Sequence, residues 1–424
     1  MSDSTTEHSV LFSDVRIFDG RSDRLSESTD VLVTGKTIAS IGERPADGEY
    51  REIAGGGRVL MPGLIDAHTH LAFSTVPLQI ALIADFGYLA IRSAEAAGQM
   101  LSRGFTSARD AGGPVFGLKR AIDEGHVPGP RIWPSGAFIS QTSGHGDFRL
   151  PYETPRGVCG HLSHAEQLGA VVIADGAAEV LRGTREQLMH GASQIKMMAG
   201  GGVASVYDPI DATQYTEAEL RAGVEAAENW GTYVMVHAYT DRAVGQALRA
   251  GVRCIEHGQL LTEATVAAMA EHEAWWSLQP FLDDEDAPRI ADPRGREKLR
   301  QVLDGTDRAY TLARKYGVDI AWGTDTLFDP HLAARQGAQL AKLTRWFTPA
   351  EVLRMATSGN ARLLAMSGER NPYPGPLGVI EPGALADLLL VDGNPLDDLG
   401  LVATPDTAFP VIMKDGAVHK NTLG

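Results

Sequence analysis

Residues 59–70 read VLMPGLIDAHTH, an apolar run that ends in two histidines two positions apart, His68 and His70. In an extended strand alternate side chains leave the same face, so residues two apart project together. Two imidazoles side by side at the end of a strand form half of a binding site for a divalent metal ion. The stretch therefore predicts a buried strand that carries metal ligands at its carboxyl end.

The central part of the chain alternates short apolar runs with helical patterns. Because this alternation is typical of a parallel (β/α)8 barrel, we predict an α/β fold with such a TIM barrel over residues 61–379. The predicted strands are 64–67, 105–108, 131–134, 194–198, 233–236, 254–256, 274–278 and 319–322, and the predicted helices include 178–190, 217–229, 241–250, 262–271 and 298–316.

Both ends of the chain are rich in β-formers broken by turn residues. Short runs of this kind are 10–18, 30–34 and 36–41 at one end, and 387–391, 409–413 and 417–419 at the other. Since neither end alone is large enough to bury a core, we predict one small β-sandwich domain made of residues 1–60 and 380–424. The alternative is two separate β appendages.

Composition limits the partners of the chain. A formal net charge of -16 argues against nucleic acid and against an anionic membrane as partners. The two cysteines, Cys159 and Cys254, offer no disulfide framework, which suits a reducing compartment. Because the first residues are polar and no transmembrane run follows, a cytoplasmic protein is expected, with a trimmed secretion signal as the alternative.

Single reactive residues lie in or just after four later predicted strands. They are Lys196, His237, His257 and Asp325. Since the chemistry of (β/α)8 barrels lies at the carboxyl ends of the strands, we expect these side chains to meet the two histidines of the first strand at one rim. Taken singly, each has a structural explanation: a lysine at the core edge, hydrogen-bonded core histidines, and an aspartate N-cap. Independent structural residues, however, have no reason to converge on one rim.

The pattern closely resembles the amidohydrolase superfamily, over nearly the whole chain, and residues 61–70 (MPGLIDAHTH) are its most specific part. The resemblance implies a binuclear centre of two divalent ions, zinc in most members, although manganese or cobalt suits the same ligands. It also implies a hydroxide that bridges the two ions. The implied ligands are His68, His70 and Asp325 for one ion and His237 and His257 for the other, with Lys196, carboxylated by carbon dioxide to a carbamate, as a bridge.

The lysine distinguishes branches of this superfamily. An unmodified ammonium group cannot ligate a cation and is costly in an apolar strand. A carbamate supplies an anionic oxygen pair that can span two metal ions. Deaminase branches tend to lack this residue, so Lys196 favours hydrolysis of an amide or ester over deamination.

Four further stretches resemble dipeptidases and carboxypeptidases of the superfamily, including prolidase-like enzymes and ochratoxin-degrading amidases. They are 106–113 (TSARDAGG), 140–147 (SQTSGHGD), 198–205 (MAGGGVAS) and 237–240 (HAYT). The resemblance implies release of a C-terminal amino acid from a dipeptide, an N-acyl amino acid or an aryl amide such as ochratoxin A. In this reaction the metal-bridging hydroxide attacks, and Asp325 acts as general base and then as general acid. The resemblance also implies a homo-oligomer, often a large one such as an octamer.

Three other residues are candidates for contacts with the substrate. We expect His145 to donate to the developing oxyanion, Tyr239 to contact the carbonyl or the substrate carboxylate, and Arg149 to pair with that carboxylate. His145 and Arg149 belong to residues 135–176, a segment too long for an ordinary βα loop and therefore expected to shape the pocket. The alternatives are a structural loop histidine, a packing tyrosine and a surface arginine.

Two other functions remain open from the sequence. A cyclic amidohydrolase of the imidazolonepropionase or dihydroorotase type would use the same centre to open a ring and would release no second product. A non-catalytic barrel scaffold would be expected to have lost metal ligands, all of which are present here.

Overall fold

The computed structural model describes residues 9–44, 50–150, 152–154, 158, 160–205, 207–290 and 292–423. The expectation for Cys159 lies outside these residues, as do parts of the predicted terminal domain (1–8, 45–49 and 424). Cys254 is buried and free. None of the helices in the described ranges has the length and hydropathy that crossing a bilayer requires.

Strands from both ends of the chain pair in one sheet. They are β1 Ser9–Ile17, β2 Thr29–Thr34, β3 Thr37–Ile41, β4 Tyr50–Ala54, β5 Val59–Pro62, β16 Leu388–Val391, β17 Val411–Lys414 and β18 Ala417–Asn421. Their order is β18-β17-β16-β5-β1-β2-β3, with β4 also paired to β1. The two ends of the chain thus share a sheet, whereas two packed layers and domain boundaries at residues 60 and 380 stay a prediction.

The central strands are parallel and lie in two sheets. They are β6 Leu64–Thr69, β7 Phe105–Asp110, β8 Arg131–Pro134, β9 Phe138–Ser140, β10 Val171–Ile173, β11 Ile195–Met198, β12 Val234–Ala238, β13 Cys254–His257, β14 Trp275–Leu278 and β15 Ile320–Trp322. One sheet has the order β6-β7-β8 and the other β10-β9-β11-β12-β13-β14-β15. Each predicted strand of this part is found within two residues of its predicted bounds, which confirms the α/β fold.

Strand pairing does not close the predicted barrel within the described residues. The third strand position is divided, since β8 pairs with β7 while β9 pairs with β11. β15 and β6 are neighbours without a ladder: the Asn360 side chain donates to the carbonyl oxygens of Ile65 and Trp322 at 2.7 and 2.8 Å. The Asp325 N–H donates to the His68 carbonyl at 2.8 Å. Single hydrogen bonds therefore join the first and last strands, where a closed barrel would have a continuous ladder.

Helices follow most of the central strands. They are α1 Leu78–Ala81, α2 Phe86–Ser102, α3 Phe116–Asp123, α4 His164–Gln167, α5 Ala177–His190, α6 Glu217–Glu228, α7 Asp241–Arg249, α8 Glu263–Glu271, α9 Pro293–Tyr316, α10 Pro330–Ala334, α11 Gln336–Ala341, α12 Pro349–Arg354, α13 Asn360–Ala365 and α14 Pro405–Ala408. Helix α9 begins at Pro293 and not at residue 298 as predicted. The Asp292 side chain accepts from the Gly295 N–H, and proline suits the first turn, so both features fix the earlier start.

Gly63 separates two sheets within the apolar run 59–70. Its N–H donates to the Asp387 carbonyl at 2.8 Å in the terminal sheet, whereas the next N–H, of Leu64, donates to Gly104 at 3.0 Å beside the central strands. A Cβ at Gly63 would lie 2.1 Å from Thr106 Oγ1, so no side chain fits here. The run is therefore two strands, β5 and β6, of which only β6 was predicted.

β5 also connects the two apolar cores. Val59 and Met61 belong to the large cluster around the central strands, and Leu60 belongs to a second cluster under the terminal sheet. Because successive side chains of a strand face opposite sides, one short strand packs against both cores. The strand that carries the first two predicted ligands thus starts from a fixed position.

Candidate metal centre

The predicted ligands meet at the carboxyl ends of the central strands. The ring centroid of His68 lies 5.3 Å from that of His70 and 5.2 Å from that of His257. The ring centroids of His257 and His237 are 4.5 Å apart. One cavity of about 650 Å³ is lined by all of the predicted ligands, which are His68, His70, Lys196, His237, His257 and Asp325.

The first two imidazoles are each held through one ring nitrogen. His68 Nδ1 lies 2.6 Å from Glu256 Oε2, and His70 Nδ1 lies 2.9 Å from the Gly112 carbonyl oxygen. A proton on Nδ1 leaves Nε2 of both rings with its lone pair. Metal-binding histidines are commonly oriented in this way by a carboxylate or carbonyl.

The other two imidazoles are held in the same manner, but through different nitrogens. His257 Nδ1 lies 2.8 Å from Gln279 Oε1, which leaves Nε2. His237 Nε2 lies 3.1 Å from the Gly201 carbonyl oxygen, which leaves Nδ1. Each of the four rings thus keeps one nitrogen that can ligate a cation.

The protonation of these rings suits ligation. Burial lowers the pKa of His257 to about 3. Burial also lowers the pKa of His70, and it holds the pKa of His237 well below its usual value. Burial and the charge of Lys196 also lower the pKa of His68, but the carboxylates of Asp325 and Glu256 outweigh them and raise it. Three of the rings are therefore neutral, the form that binds a metal ion.

Asp325 completes the cluster. Its Oδ1 lies 3.1 Å from His68 Nε2 and 3.4 Å from His70 Nε2, and its Oδ2 lies 3.8 Å from His257 Nδ1. Burial raises the pKa of Asp325, but the neighbouring imidazoles, foremost His68 through its charge and hydrogen bond, outweigh burial and hold that pKa well below its usual range. The carboxylate is therefore ionised, as a metal ligand or a proton acceptor must be.

Two of the predicted ligands have a backbone conformation that is uncommon for residues other than glycine. The φ angles are 74° at His257 and 51° at Asp325. The His257 carbonyl accepts from Trp276 Nε1 at 2.5 Å, and the Asp325 N–H donates to His68. Strain of this kind persists where the surroundings fix it, and it clusters at functional sites.

Lys196 is a buried lysine without a counter-ion. Its side chain is 2% exposed, and it has neither an ion pair nor a side-chain hydrogen bond within the described ranges. Burial lowers its pKa, against the raising effect of the Glu256 and Asp325 carboxylates. An ammonium group is unfavourable in such a place, so the surroundings fit a lysine that has lost or exchanged its charge.

One buried donor atom gives a further test of a metal site. His68 Nε2 makes no hydrogen bond of good geometry among the described residues, although Asp325 Oδ1 lies 3.1 Å from it. Donor atoms of His68, His257 and Asp325 all lie within 4.8 Å of one another. Imidazole nitrogens and a carboxylate are donors that zinc prefers, so these residues fit a divalent cation.

Below His68 lies a buried charge network that was not predicted. Glu256 accepts from Arg109 Nη2 at 2.7 Å, and all three side chains are fully buried. Arg109 Nε donates to the Ala67 carbonyl at 2.5 Å. Burial raises the pKa of Glu256, but Arg109 and His68 outweigh it and hold that pKa well below its usual range. A glutamate inside a short buried strand, directly before His257, was the sequence signal for this network.

His145 and Tyr239 lie against the imidazole cluster and line the cavity. The His145 ring stacks on His237 with centroids 4.0 Å apart and an angle of 18°. Tyr239 contacts His237 edge-on at 5.2 Å and stacks on His257 at 5.3 Å. Burial, followed by the charge of Asp325, raises the pKa of Tyr239, so its phenol stays protonated and can donate.

A loop that was not predicted holds His145. Its Nδ1 lies 2.7 Å from Ser205 Oγ and 3.4 Å from Asp208 Oδ2. Lys298 Nζ donates to the carbonyls of Gly202 and Ser205 at 3.0 Å and of Asp208 at 2.5 Å, which fixes the loop. Burial raises the pKa of Asp208, but the hydrogen bond and charge of His145 outweigh it and bring that pKa to about 2. No local pattern signals contacts between residues so far apart along the chain.

Arg149 has a partner outside the cavity. Its Nε donates to Asp147 Oδ1 at 2.7 Å, and it is not among the residues that line the cavity. This placement gives no support to the expected contact between Arg149 and a substrate carboxylate. The arginine that does line the cavity, within the described residues, is Arg289, which was not singled out from the sequence.

Residues 135–176 form part of the cavity wall and contain β9, α4 and β10. Phe138 and Phe148 of this segment contact each other with ring centroids 5.9 Å apart, and both line the cavity. The segment therefore has secondary structure of its own and adds aromatic surface beside the imidazoles.

The chain is similar to known proteins over nearly its whole length. A family model described as Amidohydrolase family matches residues 59–421. Ochratoxinase of Aspergillus niger is 32% identical over 374 residues, which cover 85% of this chain and 76% of that protein.

Solved structures are similar as well. A prolidase complexed with N-methylphosphonate-L-proline is 37% identical with a TM-score of 0.88, and the match covers 98% of this chain and 100% of the other. A Xaa-Pro dipeptidase with bound methionine is 27% identical with a TM-score of 0.81, covering 97% and 100% of the two chains.

Proposed function

The chain belongs to the amidohydrolase family, whose members are generally metal-dependent hydrolases, and on that premise we propose that it releases a C-terminal amino acid by hydrolysing an amide bond. The substrate is a dipeptide, an N-acyl amino acid or an aryl amide such as ochratoxin A. The observation that carries this proposal is the set of four imidazoles, each with one nitrogen fixed and one free, around Asp325 and Lys196. The names of the similar prolidase and ochratoxinase favour an amide of an amino acid.

The proposed centre is binuclear, most simply with zinc. Lys196 would help to hold both ions as a carbamate, which forms when the neutral Nζ bonds to the carbon of carbon dioxide and one proton leaves. Its burial without an ion pair favours this reaction, because an unfavourable buried ammonium group would be replaced by a group that the ions can bind. His68, His70 and Asp325 would hold one ion, and His237 and His257 would hold the other.

Divalent ions held by these residues would supply a Lewis acid for the amide carbonyl and a water whose pKa is lowered to about 7. The Asp325 carboxylate takes the proton of the attacking water and then gives it to the leaving amine nitrogen. Its low pKa keeps it ionised before this step. The protonated phenol of Tyr239 donates to the substrate, either to its carbonyl oxygen or to its carboxylate.

His145 supplies a second donor to the carbonyl oxygen, which gains negative charge as the water attacks. Because Asp208 and Ser205 accept at Nδ1, the ring is held in one orientation. With Nδ1 engaged by these two side chains, Nε2 is the ring nitrogen left to contact the substrate. Asp208 is thus a positioning residue for His145.

The test is a library of dipeptides and N-acyl amino acids assayed for release of free amino acid, with metal analysis of the same preparation. We expect amino acid release, about two metal ions per chain, loss of activity with a chelator, and recovery with zinc, manganese or cobalt. Ring opening without a second product would instead indicate a cyclic amidohydrolase. Protein that binds no metal and turns over no substrate would indicate a scaffold.

A further inference from the structure

We propose that Arg289 binds the carboxylate of the substrate's leaving amino acid, and that apolar residues of the same cavity accept the side chain of that amino acid. This inference rests on the proposed function and narrows it. The preferred substrates are then acylated apolar amino acids with a free carboxylate.

Arg289 has the position and the freedom for this role. It lies between β14 and α9, its side chain is exposed, and it lines the same cavity as the metal-ligand residues. Within the described part of the chain no hydrogen bond or ion pair engages its guanidinium. Glu153 and Asp329, two acids of the cavity lining, instead accept from the backbone N–H groups of Leu150 and Leu332.

Exposed or partly exposed cations near the cavity already have acidic partners. Arg335 and Lys342 both pair with Asp286, the lysine at 2.9 Å, and Arg149 pairs with Asp147. Arg289 has no such partner among the described residues, so its guanidinium is available to pair with an anionic group of a ligand.

The segment that carries Arg289 is anchored on both sides. Before it, Asp286 is held by two cations, and after it the Ile290 carbonyl accepts from Arg296 Nη1 at 3.3 Å. An anchored backbone limits where the guanidinium can reach. Less conformational entropy is then lost when it binds a carboxylate through two parallel hydrogen bonds.

An apolar cluster also lines the cavity. It contains Tyr239, Val302, Val203 and Phe281, all of which line the cavity. The neighbours of Arg289 in the chain, Pro288 and Ile290, line the cavity too. A cation flanked by apolar residues, in a cavity with such a cluster, fits an apolar amino acid with a free carboxylate.

The kinetic test compares N-benzoyl-L-phenylalanine with its carboxamide, which has the same scissile bond but no carboxylate. We expect wild type to prefer the acid, and Arg289→Met to lower the acid-to-carboxamide ratio of kcat/KM by about 10- to 100-fold, chiefly through KM. Arg289→Lys should restore part of the ratio, because it keeps the charge but not the bidentate geometry. The control is Arg308→Met, which removes an exposed arginine of α9 outside the cavity lining.

A binding test separates recognition from catalysis. Calorimetry with chelator-treated protein compares 3-phenylpropanoate with 3-phenylpropanamide, so that no metal ion can attract the carboxylate. Wild type should bind the carboxylate more tightly, and the difference should shrink in Arg289→Met and at high salt, because the guanidinium is exposed.

The outcomes distinguish this inference from the proposed function. If wild type cleaves acid and carboxamide equally well, the role of Arg289 is refuted while amide hydrolysis stands. The same conclusion follows if Arg149→Met, and not Arg289→Met, lowers the ratio. If wild type releases no amino acid from any member of the library, the proposed function fails, and the inference fails with it.

Discussion

The floor of the cavity and its mouth are built in different ways. On the floor, Glu256 joins His68 to Arg109 in a network with no exposure to solvent. At the mouth, aromatic side chains such as Phe138 and Phe148 contact each other through their rings, and an arginine has no partner among the described residues. The floor is held by directional hydrogen bonds between buried charged groups, whereas the mouth combines ring packing with ion pairs at partly exposed residues such as Arg335 and Lys342.

This difference corresponds to two tasks, which are holding metal ligands in place and selecting the substrate. A metal ligand must be held within a fraction of an ångström, which requires partners that fix the orientation of each ring. Substrate selection tolerates looser contacts, because apolar surface is not directional. Changes on the floor should therefore affect turnover and metal content, and changes at the mouth should affect KM.

The largest effect is expected for Asp325→Asn on the floor. The amide keeps the shape of the carboxylate but cannot accept and return a proton, so kcat/KM should fall by about 10²- to 10⁴-fold. Asp319→Asn, at an exposed aspartate just before β15, is the matched control. Near-normal turnover in Asp325→Asn would mean that another group is the base.

Lys196→Ala should come next. Without the bridging carbamate most of the bound metal should be lost. Removing a hydrogen-bond partner of a metal ligand costs roughly 10- to 100-fold in activity, and the loss of the carbamate should cost more than that. Metal analysis and kcat/KM measure the two effects, with Lys315→Ala at an exposed lysine as the control. A fully active and fully metal-loaded Lys196→Ala protein would contradict the bridging role.

Glu256→Gln tests the buried network itself. Metal affinity should fall by about 10- to 100-fold, because the carboxylate no longer orients His68. The change also leaves Arg109 buried without an anion, which should cost about 3–5 kcal/mol of unfolding free energy. The double variant with Arg109→Met should lose less stability than the two single changes together. Additive costs in urea unfolding would mean that the two side chains act independently.

Asp208→Asn probes the transition between floor and mouth. The ring of His145 keeps a hydrogen-bond partner but loses the neighbouring charge, so kcat should fall by about 10-fold while metal content is unchanged. In His145→Asn the same change at Asp208 should have little further effect. Equal effects of Asp208→Asn in both backgrounds would show that Asp208 acts without His145.

The smallest effect is expected at the mouth, for Phe148→Leu. Loss of the ring contact with Phe138 should raise KM by about threefold with kcat unchanged. The measurement is a kinetic comparison with several acyl groups. A fall in kcat larger than the change in KM would show that the mouth also orients the reacting atoms.

The contrast between floor and mouth also decides how much the sequence could predict. The placement of His68 and His70 was predictable because the twofold period of a strand places them on one face, and the other predicted ligands lie in or just after strands that apolar runs mark clearly. Glu256 was missed although it lies directly before His257. Its partners, His68 and Arg109, are far away along the chain, and no sequence spacing indicates such contacts.

The contacts of the mouth were beyond prediction for a different reason. Asp208 meets His145 through a loop whose path depends on Lys298, and Arg149 pairs with a residue two positions away. Such pairings depend on loop conformation, which is set by tertiary contacts and not by a periodic pattern. The absence of a ladder between β15 and β6 could not be predicted for the same reason, since the two strands are joined through the side chain of Asn360.

The junction at Gly63 has a practical consequence for anyone who wishes to divide this protein. The N–H groups of Gly63 and Leu64 donate to the terminal sheet and to the central part, respectively. The neighbouring strand β5 packs in both hydrophobic cores. A truncated enzyme that starts at residue 64 would lose β1 to β5 and leave β16 paired with β17 alone among the described strands. The central strands therefore do not form a self-contained unit, and directed evolution or immobilisation should keep both ends of the chain together with them.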